Sequence, residues 1–380
     1  MRSPGVYSHN MRLTVQLKLL PTPTQADALD RTLRAANAAC DAISQAAWAV
    51  RTFRQFAIHR LTYQLARERF GLSAQLAVRC IAKVADAYTR DRTQPRTFQP
   101  LGAVAYDDRI LSFNLAGSSV SIWTLSGRQA IPFVCGPRQR ALLAALRGES
   151  DLAYVGGQWY LFAAAEIETP APIDVEGVLG VDLGVANIAT DSDGTVHSGR
   201  AIKNVRYRHR RLRAKLQRLG TKASRRRLRR LAAQERRFAT WVNHTLAKRI
   251  VATAERTKRA IALEDLTHIR SRVRARTSQR VTLHSWAFRQ LRGFITYKAA
   301  RAGVPVHLVD PRNTSRTCPQ CGHTAKANRK TQASFLCTSC GFAGPADVIA
   351  AGNIASRAAV NPPYCSEAAS AVAPGQSRRR

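Results

Sequence analysis

Leu13, Val15, Leu17 and Leu19 alternate with Thr14, Gln16 and Lys18, the period of a strand with one buried face. The alternation stops at Leu20-Pro21. Thr22-Pro23-Thr24-Gln25 then reads as a helix start, with Thr at the N-cap, Pro at the first helical position and Gln closing a capping box. Ala-rich helical sequence runs from there to about Ala87, with a break near Gly71. From Tyr106 to about Val134 the chain is strand-like, turning at Gly117 and Gly127. Ala153 to Phe162 reads as a hairpin turned by Gly156-Gly157. Residues 1–170 thus predict a small β-domain with a helical insertion over about 22–95.

Thr169-Pro170-Ala171-Pro172 reads as a linker, and beyond it the pattern becomes α/β. Val178 to Gly184 is an apolar strand carrying one acid. Ala186–Thr190 and Thr195–His197 follow as strands around the turn Asp191-Ser192-Asp193-Gly194. Leu212, Leu216 and Leu219, then Phe238, Val242, Leu246 and Ile250, fall on helical stripes, predicting two helices joined near Gly220–Ser224. Ala260–Leu266 is a strand ending in acids, Trp286–Ala302 a helix stopped by Gly303, and Val304–Val309 a strand. A last Ala-rich helix opens at Gly344-Pro345-Ala346-Asp347 and runs to about Ala358. Residues 359–380 read as a disordered Ser/Ala/Pro-rich tail.

Charge changes this picture most. The 380 residues carry 60 Lys+Arg against 24 Asp+Glu, a net of +36. Residues 1–170 account for +8 of it and residues 171–380 for +28. Residues 200–237 hold 17 Lys/Arg against the single acid Glu235. Like charges at i,i+4 repel, so a solvated face is a poorer account of that stretch than a polyanion that neutralises it. A genomic bias towards Arg and Ala is the competing explanation. The excess argues against a neutral metabolic enzyme. No run of 18 apolar residues predicts a membrane span, and Met1–Asn10 has no apolar stretch to serve as a secretory signal. The expected location is cytoplasmic and nucleoid-associated, in a reducing compartment.

Cys318 and Cys321, then Cys337 and Cys340, form two CxxC pairs with fifteen residues between them. This spacing lets two knuckles supply four thiolates to one tetrahedral Zn²⁺, and two disulfides are the alternative. Gly322 and Gly341 follow the knuckles, where a tight turn calls for positive φ. His323 is read as a non-ligand, and Cys40, Cys80, Cys135 and Cys365 as ordinary thiols.

In so basic a chain, acids inside apolar segments need a compensating cation or partner. Asp182 sits in the first α/β strand, Glu264 ends the strand after the basic helices, and Asp347 opens the last helix with Ala351 and Ile354 on its face. Singly, each has an ordinary reading as a turn cap, an Arg partner or a helix N-terminal acid. Together, at one edge of a mixed sheet, they offer hard oxygen ligands for Mg²⁺. Two such ions, or Mn²⁺ in their place, would clamp the attacking and leaving oxygens of a phosphodiester.

Gly180-Val181-Asp182-Leu183-Gly184, Leu263-Glu264-Asp265-Leu266, and Ala346-Asp347-Val348 with Asn353-Ile354 resemble the three RuvC motifs of the TnpB (OrfB) family. That family comprises insertion-sequence-encoded RNA-guided DNA endonucleases, to which compact type V CRISPR effectors are related. Asp310–Ser315 leading into Cys318-Pro319-Gln320-Cys321-Gly322-His323 is similar to the family's ribbon entry, and Leu20–Gln25 to its N-terminal signature. The likeness spans about residues 12–357. It implies a multidomain α/β protein: an RNase H-like (RuvC) nuclease domain with an inserted zinc ribbon, preceded by a β-barrel-like wedge domain with a helical recognition insertion. The implied boundaries are 1–170 for the wedge and its insertion, 171–310 for the first part of the nuclease domain with its basic hairpin (200–255), 311–343 for the ribbon and 344–358 for the last nuclease helix.

The implied partners are a guide RNA and double-stranded target DNA, cut beside a short adjacent motif. Asp182, Glu264 and Asp347 would be the metal-binding catalytic residues, and Cys318, Cys321, Cys337 and Cys340 the Zn²⁺ ligands. One departure stands out: Ile349 occupies a position where the family carries a supporting Asn. A nuclease-impaired guided DNA-binding protein, a transposase acting on element ends and a non-catalytic zinc-ribbon RNA-binding protein are the competing readings. The intact Asp/Glu/Asp set argues against the first and leaves the last without a reason for its strand acids.

Overall fold

The computed structural model describes residues 10–184, 186–266 and 288–360. The chain divides into two compact units, His9–Glu168 and Thr169–Arg380. The predicted tail from residue 361, Cys365 and the predicted helix start at Trp286 lie outside the described residues.

The first unit opens with β1 (Asn10–Leu19), whose Val15, Leu17 and Leu19 are buried on alternate positions. Three helices follow: α1 (Pro23–Ala49), α2 (Gln55–Phe70) and α3 (Ala74–Arg90). Both hydrogen bonds of the Thr22/Gln25 capping box are present, and Gly71 ends α2 at φ +64°. The break between α1 and α2 lacks a Gly or Pro signal. There Arg51 takes φ +55° and lays its guanidinium over the Trp48 ring at 3.8 Å. The strands are β2 (Val104–Tyr106), β3 (Leu111–Asn114), β4 (Ser119–Thr124), β5 (Gly127–Val134), β6 (Leu146–Val155) and β7 (Gln158–Glu168), with the short helix α4 (Pro137–Leu143) before β6. They form one near-barrel antiparallel sheet with β1 in the order β2-β6-β7-β1-β5-β4-β3. Gly156 and Gly157 turn the β6–β7 hairpin at positive φ, as their sequence predicts. Gly127 is left-handed (φ +87°) at its predicted turn, whereas at the Gly117 turn the left-handed residue is Ser118 (φ +48°), with the Asn114 side chain accepting the Gly117 N–H.

The second unit is built on β8 (Gly177–Asp182), β9 (Asn187–Asp191), β10 (Val196–Ser198), β11 (Arg259–Glu264) and β12 (Val306–Val309), in the order β10-β9-β8-β11-β12. The β10–β9 and β9–β8 pairs are antiparallel; β8–β11 and β11–β12 are parallel. The long crossover between β8–β10 and β11 is the hairpin of α5 (Arg200–Leu219) and α6 (Lys222–Arg256), turned at Gly220 (φ +60°). Leu219 is exposed rather than part of the α5 apolar stripe, since the helix ends beside it. One face of the sheet, with Leu179, Val181, Ile261 and Leu263, packs on Leu246 and Ile250 of α6 and on Leu291 and Ile295 of α7 (Phe288–Arg301). The opposite face receives α8 (Ala346–Val360), whose Ile354 and Ala358 meet Ala262 and Val309. A small β-hairpin, β13 (Ser334–Leu336) with β14 (Ala343–Pro345), precedes α8.

Side chains alternate across a sheet, so the residue types on β8 and β11 decide which elements each face can accept. Gly180 and Ala262 share a register position on the α8 face, where bulk is least. A Cβ at Gly180 would lie 2.0 Å from the Ala351 carbonyl oxygen and 2.7 Å from the Ala355 nitrogen. The helix backbone therefore rests directly on the strand. Gly352, in the same helix, has open space where its Cβ would be. Gly180→Ala is expected to destabilise the chain by about 3 kcal/mol or more, whereas Gly352→Ala should stabilise it by about 0.5–1 kcal/mol. Chemical denaturation of both variants checks this, and equal effects would contradict the close packing.

Candidate functional site

The close approach of α8 to β8 sets the site. Asp182 is two residues beyond Gly180 and Glu264 two beyond Ala262, so both acids keep the α8 side of the sheet. The parallel register Leu263↔Val181 puts them next to each other at the carboxyl ends of adjacent strands. Asp347 enters from the first turn of α8, one turn before the Ala351 contact. The three predicted acids thus converge electrostatically. Burial raises the Asp182 carboxyl from its ordinary 3.8 to about 7, and the charges of Glu264 and Asp347 push the same way. Burial also raises Glu264, opposed by the hydroxyl of Thr314 and by the guanidinium groups of Arg357 and Arg329.

Three side chains around these acids escape any reading of local pattern. Thr314, buried in the loop after β12, donates to Glu264 Oε1. Arg329 Nη2 donates to Asp347 Oδ1 at 3.1 Å and forms an ion pair with it. Its charge also acts on Asp182 and Glu264, so one guanidinium balances much of the trio. Asn187 Nδ2 donates to Asp347 Oδ2 at 2.9 Å. Asn353, one and a half turns along α8, ties the loop in place by donating to the carbonyls of Thr314 and Thr317 at 2.7 and 2.8 Å. Ile349 is buried with Cys318, Phe335, Cys337 and Ala346.

The cysteine cluster sits beside α8. Cys318 and Cys340 sulfurs are 3.6 Å apart, as are those of Cys321 and Cys337, and all four lie within 4.8 Å of one another. A tetrahedron of 2.3 Å metal–sulfur bonds has edges of about 3.8 Å, so this donor set fits one thiophilic ion. The knuckles turn at Gly322 (φ +73°) and Gly341 (φ +76°), the positive values their sequence positions predict. The backbone N–H of Cys340 pulls the Cys337 thiol down to about 6, favouring the thiolate that a metal needs. His323 instead bonds Thr338 through Nε2 at 3.1 Å.

The other concentrated feature is the α5–α6 hairpin. Glu235 is shared by Arg206, His209 and Arg213, at 4.0, 3.7 and 2.8 Å. Among the described residues, the exposed cations of the hairpin, including Arg208, Arg211, Arg225, Arg226, Arg229 and Arg237, have no carboxylate partner. Tyr207 and Trp241 stand exposed among them. No helix among the described residues is long and apolar enough to cross a membrane.

Two stability predictions follow from this geometry. In the metal-free chain, the raised Asp182 carboxyl contributes stability that is complete below about pH 4 and is lost as pH rises through about 7. Asp182→Asn should therefore raise the melting temperature by about 2–8 °C at pH 8 and by much less at pH 5; a difference independent of pH would contradict the burial account. Cys337→Ser should lower both bound zinc and melting temperature, measured by metal analysis and calorimetry, and an unchanged value of either would contradict a structural ion.

Comparison with known proteins places this arrangement. Residues 288–354 match the family model described as "Cas12f1-like, TNB domain", and residues 163–269 the OrfB_IS605 model described as "Probable transposase". The "CRISPR-associated endodeoxyribonuclease Cas12f1" of Sulfoacidibacillus thermotolerans is 31% identical over 217 residues, 52% of this chain and 50% of that protein. The "Putative RNA-guided DNA endonuclease InsQ" of Escherichia coli K12 is 29% identical over 218 residues, 52% of this chain and 53% of that protein. The "TnpB-like protein MJ0751" of Methanocaldococcus jannaschii is 35% identical over 112 residues, covering 29% of this chain and 40% of that one. The matched regions thus span about half the length of the curated relatives, or less. In fold, the chain is similar to the protein in "Cryo-EM structure of the Cas12f1-sgRNA-target DNA complex", with a TM-score of 0.57 at 13% identity over 86% of this chain and 82% of that one. The two matches fall on the segments that carry the acids and the cysteines, and over them the chain is similar to TnpB (OrfB) and Cas12f proteins.

Proposed function

We propose that this protein is an RNA-guided DNA endonuclease of a transposable element, cutting guide-matched double-stranded DNA next to a short adjacent motif by Mg²⁺-dependent phosphodiester hydrolysis. The observation that carries the reading is the gathering of Asp182, Glu264 and Asp347 at one end of a mixed sheet whose strand order and directions fit an RNase H-like, RuvC-type domain. Carboxylates alone are hard donors suited to Mg²⁺, and the Arg329 guanidinium beside them supports a pocket that takes positive charge. When bound, one or two divalent ions would supply Lewis-acid stabilisation of the attacking and leaving oxygens. Asp182 must first give up the proton that burial favours. Thr314 fixes the Glu264 carboxylate, and Arg329 must loosen from Asp347 to free an oxygen. The four cysteines would hold a structural Zn²⁺ in a ribbon packed against the start of α8. The unpaired cations of the α5–α6 hairpin are suited to the phosphates of the guide and target, and the β-rich first unit with its helices would correspond to the wedge and recognition regions.

The test is cleavage of a plasmid library with a randomised flank by the protein purified with its own RNA. Matched DNA should be cut in Mg²⁺, with activity at limiting Mg²⁺ rising as pH climbs through about 7 while Asp182 ionises. Asp182→Ala should abolish cutting and spare DNA binding; cutting that persists in this variant would overturn the assignment. A guided DNA-binding protein without cleavage would bind the matched plasmid and leave it intact at every Mg²⁺ concentration.

A further inference from the structure

Resting on the nuclease reading above, we infer that Asn187 is a positioning residue: its neutral amide anchors one oxygen of Asp347 and so presents the other to the divalent ion. Asn187 is the first residue of β9 and partly buried. Its backbone passes close to Gly184, where a Cβ would lie 2.7 Å from the Asn187 carbonyl oxygen. From there Nδ2 reaches Asp347 Oδ2 at 2.9 Å, across 160 residues of sequence.

The two Asp347 oxygens are held by donors of different kinds. Arg329 on Oδ1 is a cation and competes with a divalent ion for the same charge. Asn187 on Oδ2 is neutral, leaves the carboxylate its full charge and has no electrostatic reason to depart. A cation entering among the acids therefore displaces Arg329 and takes Oδ1, while Asn187 keeps the plane of the carboxylate fixed. Without that anchor the carboxyl rotates freely about its last bond, and the ion must order it at binding. Partners of metal-ligating carboxylates typically alter metal affinity 10–100-fold when removed.

The experiment uses the protein–guide RNA complex. The Mg²⁺ dependence of cleavage is measured beside Mn²⁺ binding by electron paramagnetic resonance, with the Asp182→Ala complex as the background for ions held by RNA. Asn187→Leu, similar in size but without a donor, should raise the Mg²⁺ needed for half-maximal cutting by about tenfold or more and weaken the Asp182-dependent Mn²⁺ binding to match. Its rate at saturating Mg²⁺ should fall much less, and target binding in chelator should not move. Asn187→His, which can place a ring N–H where the amide stood, should recover most of the metal affinity. A simple packing role would give the opposite ranking, since Leu fills the space better than His. If Asn187→Leu does not fold, Asn187→Ala is read by the same criteria. A folded, donorless variant whose Mg²⁺ requirement and Mn²⁺ affinity match the parent overturns the inference. Asp347→Asn run in parallel separates the two levels: if it cuts normally, the nuclease-site reading fails with the inference, whereas if it is inactive and the donorless variant is unmoved, only the role of Asn187 fails.

Discussion

Everything at the candidate site depends on how closely one helix can approach one strand. With hydrogen at position 180, the backbone of α8 rests against β8; with a methyl group the Ala351 carbonyl would have to move. The small residues on both sides, Gly180 and Ala262 on the sheet and Ala351 and Ala355 on the helix, are what permit the contact. Its consequence is positional. The residues two further along each strand and one turn earlier in the helix are Asp182, Glu264 and Asp347, so the packing that closes the second unit also assembles its acids. Core and chemistry are set by one contact.

That assembly creates an electrostatic problem that the rest of the neighbourhood addresses. Burial, with the charges of Glu264 and Asp347 behind it, raises the proton affinity of Asp182. Arg329 supplies compensation from the segment between the two cysteine knuckles. Neutral donors, Thr314 and Asn187, hold carboxylate oxygens without cancelling their charge. Asn353 and Arg357 of α8 bind the carbonyls of residues 310–317, which keeps Thr314 at Glu264 and anchors the entry to the cysteine ribbon. The ribbon is in turn packed onto α8 through Ile349, an apolar residue buried with Cys318, Cys337 and Phe335.

Much of this was legible in the chain because its causes are local. The Thr22 cap, the Gly156-Gly157 turn, the knuckle glycines and the strand alternation of Val15, Leu17 and Leu19 each depend on residues a few positions apart. The acids could be singled out because apolar strands do not tolerate uncompensated charge. What local pattern did not reveal were the partners: Asn187 meets Asp347 across 160 positions, and Thr314 meets Glu264 across 50. Arg329 was hidden differently, as one cation among 60 Lys and Arg, with nothing in its immediate sequence to mark it as the one that turns inward. The α1–α2 break was missed because it uses an Arg in the left-handed region, held by stacking on Trp48, rather than a glycine.

The most direct measurement is a structure of the protein with its guide RNA in Mn²⁺, examined for anomalous scattering at the sheet edge. The account predicts an ion about 2.1 Å from oxygens of Asp182, Glu264 and Asp347, with Arg329 withdrawn from Asp347. An empty corner with the Arg329–Asp347 pair intact, or an ion held elsewhere, would contradict it.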